Sequence, residues 1–236
     1  MGKFVILSGP SCVGKGPLLD ALRRVYRELS FGQPVRYTSR MMRPGEDDGR
    51  EFHFRSAGDI RKLTPEQFFI YPMRNQWQAV DLYELEQLCS SCERVIIELY
   101  PPVVPQFLAH PQVRTAIRKS ETRKVFITPL TDREIASLAK QVPRQPPEET
   151  VADVMRVKQL RRAANQGKQL TREELDDIEL RAVSAYAEMQ CRRFYSPVIV
   201  NHDGEDSDHW LFTPPLGDAG RTLCALAGIL GHPIEP

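Results

Sequence analysis

No apolar run in this chain of 236 residues approaches the roughly 20 residues that a membrane-spanning helix needs. The first residues carry one early charge, Lys3, and no cleavable signal pattern, so a cytoplasmic protein that does not engage membranes is expected. Neither sign of charge is in excess: 32 Lys and Arg stand against 31 Asp and Glu. That balance argues against a nucleic acid polymer as partner and leaves local arginine clusters to bind small phosphates. Cysteine is sparse and odd in number, at Cys12, Cys89, Cys92, Cys191 and Cys224. Only Cys89-Ser-Ser-Cys92 has suggestive spacing, and a structural zinc site wants about four ligands. The pair is therefore read as two semi-buried thiols at a helix end. Internal repeats and low-complexity tracts are also missing, and the length suits one large domain with inserted parts.

What is present alternates between strand and helix. Residues 3–8 form a continuous apolar strand, followed from Lys15 to about Leu29 by a helix with Leu18, Leu19, Leu22, Val25 and Tyr26 on one face. Pro17 falls in its first turn, where a missing N–H costs little. Residues 34–80 change to short strand-like pieces, "RYTSR", "EFHF" and "FFIYP". Helical "DLYELEQLC" then leads to the strand "RVIIEL", and a helical piece near 103–118 precedes the strand "RKVFIT". Thr131 and Glu134 make a capping box. Two polar helices follow, broken near Gly167 and restarted by Thr171 and Glu174. "SPVIVN" is a last core strand, and "TLCALAGIL" a final helix. Such alternation predicts an α/β fold with a doubly wound parallel sheet, with ligands at the carboxyl ends of its strands.

The segment "GPSCVGKGP", Gly9 to Pro17, lies between the first strand and helix. It matches the phosphate-loop pattern at Gly9, Gly14 and Lys15, but Gly16 stands where a serine or threonine hydroxyl would hold Mg²⁺. Glycines aim backbone N–H groups inward, and the following helix adds its positive end, so phosphate binding is expected at Gly9, Pro10, Ser11, Cys12, Val13, Gly14, Lys15 and Gly16. Downstream, "YTSRMMRPGEDDGREFHF" sets Arg40 and Arg43 three apart, two guanidinium forks suited to a second phosphate.

These two segments resemble the guanylate kinase family, whose loop reads like "GPSGxGKST" and whose nucleotide-binding segment reads like "YTTRxxRxGExxGxDYxF". Arg40, Arg43, Gly45, Glu46, Gly49 and Phe54 fall on the second pattern. The resemblance implies a P-loop NTPase-type core (1–33, 89–130, 193–236), an inserted monophosphate-binding subdomain (34–88) and a helical lid (131–192), together one domain. It implies transfer of a phosphoryl group from ATP, with Mg²⁺, to GMP or dGMP. By the same resemblance, Lys15 holds the donor phosphates and Asn201 lies where the family contacts adenine. Arg40 and Arg43 grip the acceptor phosphate, and Arg144 and Arg181 are the lid arginines.

The departures fall mostly on the acceptor side. Phe52 replaces a tyrosine that reaches the acceptor phosphate, Arg36 occupies a serine position, Tyr71 replaces a glutamate that reads guanine, and the "YYGS" segment is missing from "NQWQAVDL". Glu98 keeps an acid at the strand end and is the candidate Mg²⁺-associated residue, through water, while Tyr100 takes the place of the next family acid. Three readings follow: a nucleoside monophosphate kinase, a kinase of another phosphorylated acceptor such as a sugar phosphate, or a catalytically impaired module that binds nucleotide or protein. The intact Lys15 and glycine loop favour an enzyme. Gly16 and Phe52 favour the module, for which Lys158, Arg161 and Arg162 would supply a charged partner surface, although a solvated helix face is the commoner reading of such a cluster.

Overall fold

The structure is a computed structural model and describes residues 2–43, 45–141, 145–167 and 169–233. In chain order its elements are β1 (Gly2–Ser8), α1 (Lys15–Val25), β2 (Arg36–Thr38), β3 (Phe52–Phe54), α2 (Ala57–Arg61), β4 (Phe68–Met73), β5 (Gln76–Asp81), α3 (Leu82–Ser91) and β6 (Arg94–Glu98). There follow α4 (Val104–Ala109), α5 (Pro111–Ala116), β7 (Ser120–Thr128), α6 (Asp132–Ala139), α7 (Pro147–Asn165), α8 (Arg172–Gln190), β8 (Val198–Val200) and α9 (Gly217–Leu230). One sheet takes the order β6-β1-β7-β8 and a second the order β3-β2-β5-β4. The expected α/β architecture with a parallel sheet is what forms. The chain divides into two compact units, Met1–Ile6 with Phe31–Arg123, and Leu7–Ser30 with Lys124–Pro236.

In the first unit the short strands of residues 34–81 make a two-faced sheet. β2 pairs parallel with β3, setting Arg36 opposite Phe52 and Thr38 opposite Phe54. It pairs antiparallel with β5, setting Thr38 opposite Gln78, and β4 brings Tyr71 opposite Gln78. Because side chains alternate along a strand, Tyr37, Phe68, Ile70, Trp77 and Ala79 share the other face, where they pack with Ile60 of α2. That apolar face fixes the register, since a slip by one residue would turn every one of these side chains over. Arg36, Thr38, Phe52, Phe54, Tyr71 and Gln78 are thereby held together on the opposite face. Asp81 caps α3, accepting from the N–H groups of Tyr83 at 2.8 Å and Glu84 at 3.2 Å.

The helical piece expected near 103–118 is two short helices, with a break at His110, whose extended backbone leads into Pro111. Proline disfavours helical backbone in the residue before it. Cys89 and Cys92 are free thiols at the end of α3.

In the second unit β7 and β8 pair in parallel from Phe126 opposite Val198 to Thr128 opposite Val200. Val125, Phe126 and Ile127 are fully buried, as are Leu18 and Leu22 of α1 and Leu226 and Leu230 of α9. Each such side chain contributes about 1.5–3 kcal/mol through burial. α9 packs on α1 and β8, and α7 packs along α8. Both expected capping boxes are present, Thr131 with Glu134 opening α6 and Thr171 with Glu174 opening α8. Among the described residues no helix is long and apolar enough to cross a membrane.

Candidate phosphate-binding and acceptor sites

The loop of the second unit turns on glycines that no other residue could replace without strain. Gly9 has φ +151°, and a Cβ there would lie 2.3 Å from the carbonyl oxygen of Ile127. Gly14 has φ +95°, and its Cβ would lie 2.7 Å from the amide nitrogen of Asn201. Between them Cys12 also has a positive φ, 68°. Alternating backbone of this kind turns successive N–H groups to one side, the arrangement that receives phosphate oxygens. Lys15 opens α1, and its Nζ donates to the carbonyl oxygens of Gly9 at 2.9 Å and Pro10 at 2.8 Å. Its ammonium thus sits over the loop with the helix N-terminus behind it. Gly16 is different, for a Cβ there meets nothing within 4 Å. Burial pushes the Cys12 thiol up to about 12, helped by the Glu205 carboxylate, so this cysteine packs as an inert apolar group.

Residues 201–210 brace the loop, and most of this brace was not legible in the sequence. Asn201 is fully buried. Its Nδ2 donates to the carbonyl oxygens of Val13 at 2.9 Å and Asp203 at 2.7 Å. Glu205 N–H donates to Cys12 O at 3.1 Å. Gly204 lies so near that a Cβ would stand 2.4 Å from Cys12 O. Trp210 Nε1 donates to the carbonyls of Asp203 and Gly204. Arg162 of α7, buried, holds the Glu205 carboxylate at 2.6 Å, and Lys158 Nζ donates to His202 O at 2.5 Å. Two of the cations expected on a partner surface therefore point inward, and only Arg161 is exposed. The Gly within "HDGED" was the one available signal.

Of the two lid candidates, Arg144 lies outside the described residues. Arg181 is buried on α8. Its Nε donates to Asp177 at 2.7 Å and its Nη1 to the Oγ of loop residue Ser11 at 3.1 Å.

The acceptor candidates belong to the first unit. Arg40 forks onto Glu46, both bonds at 2.6 Å, and Arg43 N–H donates to the same carboxylate at 2.8 Å. Burial raises the Glu46 carboxyl, but Arg40 and that N–H more than reverse it, and its net shift is downward. The Phe52 ring lies under two guanidinium groups, with Arg36 at 4.5 Å and Arg40 at 4.8 Å from its centroid. Arg36 is 6% exposed, and its Nη2 stands 3.9 Å from Glu98 Oε1. That distance balances charge without a direct hydrogen bond. The buried Tyr71 hydroxyl donates to Gln78 Oε1 at 2.8 Å. Burial pushes this phenol up to about 12, against the lowering influence of Arg36. Arg36, Arg40, Phe52, Tyr71 and Glu98 thus form one connected group.

The loop fits a nucleotide's phosphates, because Gly9 and Gly14 hold the backbone in positive-φ turns of the kind that aim N–H groups to one side, with the Lys15 ammonium over the loop. A protein-built Mg²⁺ site does not fit. Position 16 offers no oxygen, Ser11 is engaged by Arg181, Glu98 faces Arg36, and among the described residues no group of three or more His, Cys, Asp or Glu could hold a metal ion.

A glycine loop and its lysine between the first strand and helix of an α/β parallel sheet define a phosphate-loop protein. A family model described as guanylate kinase matches residues 1–163, and the chain belongs to the guanylate kinase family. The guanylate kinase of Dechloromonas aromatica (strain RCB) is 25% identical over 149 residues, 58% of this chain and 73% of that protein. The guanylate kinase of Synechococcus sp. (strain JA-3-3Ab) is 44% identical over 62 residues, 26% of this chain. The match spans only 28% of that protein's length. The crystal structure of guanylate kinase from Anaplasma phagocytophilum superposes with a TM-score of 0.56 at 18% identity, covering 97% of this chain and 84% of that one. That likeness establishes the fold.

Proposed function

We propose that the chain catalyses ATP-dependent phosphoryl transfer to a nucleoside monophosphate, with GMP and dGMP as the acceptors that family membership makes the first to test. The observation that carries this reading is the loop itself: Gly9 and Gly14 in conformations that side chains rarely adopt, with Lys15 over the loop's carbonyls. A scaffold released from nucleotide binding has no reason to keep these three together.

In the proposed reaction the loop N–H groups and Lys15 receive the β- and γ-phosphates of ATP, and Asn201 fixes the loop's shape from behind Val13. Arg40 and Arg43 hold the acceptor phosphate, and Glu46 orients the Arg40 fork. Arg181, fixed by Asp177, offers donors to the charge that develops on the transferred group, and Arg144 is the second proposed lid arginine. Catalysis is then by position and electrostatics, with little covalent work for the protein. Mg²⁺ bound with ATP would supply charge neutralisation at the phosphates, and with no loop hydroxyl at position 16 the protein would leave its coordination to the nucleotide and to water, of which this ion ordinarily keeps several.

A second reading, a kinase of another phosphorylated acceptor, is favoured by Tyr71 standing where the family reads guanine and by Arg36 at a family serine position. The test is ADP formation with a panel of nucleoside monophosphates and sugar phosphates, with and without Mg²⁺. Acceptor-dependent ADP that disappears in Lys15→Ala supports transfer. ATP binding without acceptor-dependent turnover overturns it in favour of a binding module.

A further inference from the structure

Methionine ordinarily fills gaps in a core, and Met155 of α7 and Met189 of α8 do so, each fully buried. Met73, at the end of β4, is half-buried. Met41 and Met42 are the reverse, 87% and 54% exposed, and Met41 is the most exposed large apolar side chain among the described residues. They stand between the two arginines of the proposed acceptor clamp, in the order Arg40-Met41-Met42-Arg43. The Arg40 guanidinium is fixed by its fork onto Glu46 and by the rings of Phe52 and Phe54, at 4.8 and 5.1 Å from their centroids. Its Nη1 also donates to the carbonyl oxygen of Met41 at 3.0 Å. The Met41 backbone is thereby tied to the fork while its thioether stands in solvent. Competing thiols react slowly: burial pushes Cys12 up to about 12 and Cys89 up to about 11, so little thiolate forms at neutral pH. A thioether needs no deprotonation.

We propose that Met41 and Met42 are an oxidation site whose conversion to sulfoxide weakens the hold on the acceptor phosphate. The oxidant is a peroxide. Hydrogen peroxide transfers one oxygen atom to the sulfur lone pair, its O–O bond breaks, and the remaining oxygen leaves as water, so the sulfur is oxidised and the peroxide reduced. The sulfoxide oxygen is polar and accepts hydrogen bonds, as the phosphate oxygens that guanidinium forks bind do. One methionine side chain's length from Arg40 and Arg43, it competes with the phosphate for their donors. The effect on binding rests on reading Arg40 and Arg43 as the acceptor clamp; the site of oxidation does not.

The intact protein is treated with hydrogen peroxide, then with dithiothreitol to reverse thiol oxidation, and mapped by peptide mass. Met41 and Met42 should gain oxygen about tenfold faster, or more, than the buried Met155 and Met189. Calorimetric titration with GMP and with ribose 5-phosphate should then show affinity about fivefold weaker for whichever of them the untreated protein binds. ATP affinity should not change. Methionine sulfoxide reductases, one for each sulfoxide epimer, should restore the loss. The double variant Met41→Leu, Met42→Leu keeps the apolar bulk and should bind as the native protein does, with or without peroxide. The double variant Met41→Gln, Met42→Gln carries an amide oxygen near the sulfoxide position and should bind more weakly without any peroxide.

Met155 or Met189 oxidising as fast as Met41, an oxidised protein that keeps its affinity, or an equal loss in the leucine variant overturns the proposal. A matching loss of ATP affinity also overturns it, because the damage would then be general. Neither titration nor mapping needs turnover. If the untreated protein binds neither GMP nor ribose 5-phosphate, the clamp reading fails and the effect on binding fails with it, whereas the order of oxidation is mapped without any ligand and distinguishes that failure from a wrongly placed site.

Discussion

The Nη1 of Arg181 donates to the Oγ of Ser11 at 3.1 Å, so a helix from the far end of the sequence, 170 residues on, holds a side chain of the phosphate loop. Asp177 anchors the same guanidinium one turn earlier. If Arg181 stabilises charge in transfer, Arg181→Lys keeps the cation but loses the planar fork. We expect kcat to fall about 10²-fold or more with KM for ATP changed much less. Equal losses in binding and turnover would instead assign Arg181 to loop support alone.

Gly16→Ser is expected to fold normally. No atom lies within 4 Å of the added Cβ, and serine is a better helix residue than glycine by a few tenths of a kcal/mol. Thermal unfolding should show an unchanged or slightly raised midpoint. Mg²⁺-dependent ADP formation should rise, with half-saturation at lower Mg²⁺. An unchanged Mg²⁺ response would mean that the ion does not approach position 16.

Gly9→Ala is the opposite case. The methyl group would meet a backbone oxygen at 2.3 Å, and φ +151° is one that side chains rarely adopt. A loss of more than about 1 kcal/mol is expected by urea unfolding, together with loss of ATP binding by calorimetry.

Asn201→Ala removes the donor shared by the Val13 and Asp203 carbonyls. Buried acceptors left unpaired cost about 1–3 kcal/mol, and this variant should be destabilised by that amount. Because Val13 belongs to the loop, ATP affinity should fall as well. A destabilised variant with unaltered ATP affinity would show that the strut does not shape the site.

His202 lies between Glu134, 3.0 Å from Nε2, and Asp218, which contacts Nδ1. Partial burial pulls its pKa down, but the two carboxylates more than reverse this and raise it above the ordinary 6.5. The stabilisation is complete below the ordinary value and is lost as pH rises through the higher folded-state value. Unfolding free energy, measured at steps upward from pH 6, should therefore decline in this window. His202→Gln should flatten the decline, and an unchanged slope would exclude His202 as its source.

Local signals made much of this legible. The glycine loop, both capping boxes and the helices around Gly167 depend on residues a few positions apart, and the structure has them where spacing implied. The break at His110 was overlooked because Val103 to Ile117 keeps a helical pattern of apolar residues on both sides of it, and Pro111 fits a first helical turn as well as it ends one. The brace of the loop could not be read: Asn201 and Val13, or Arg162 and Glu205, meet only after folding, and no periodicity records such pairs. Arg36 carried its message only in part. Its identity was a visible departure, but its place over Phe52 and beside Glu98 follows from strand register.

The empty space beside Gly16 separates two properties that a phosphate loop ordinarily joins. Its shape is enforced by Gly9, Gly14 and the strut from Asn201, while its metal chemistry depends on a side chain that nothing around it constrains. Position 16 is therefore a free variable of the scaffold. A side chain can be set there by one substitution without refolding anything, so packing does not impose the present glycine.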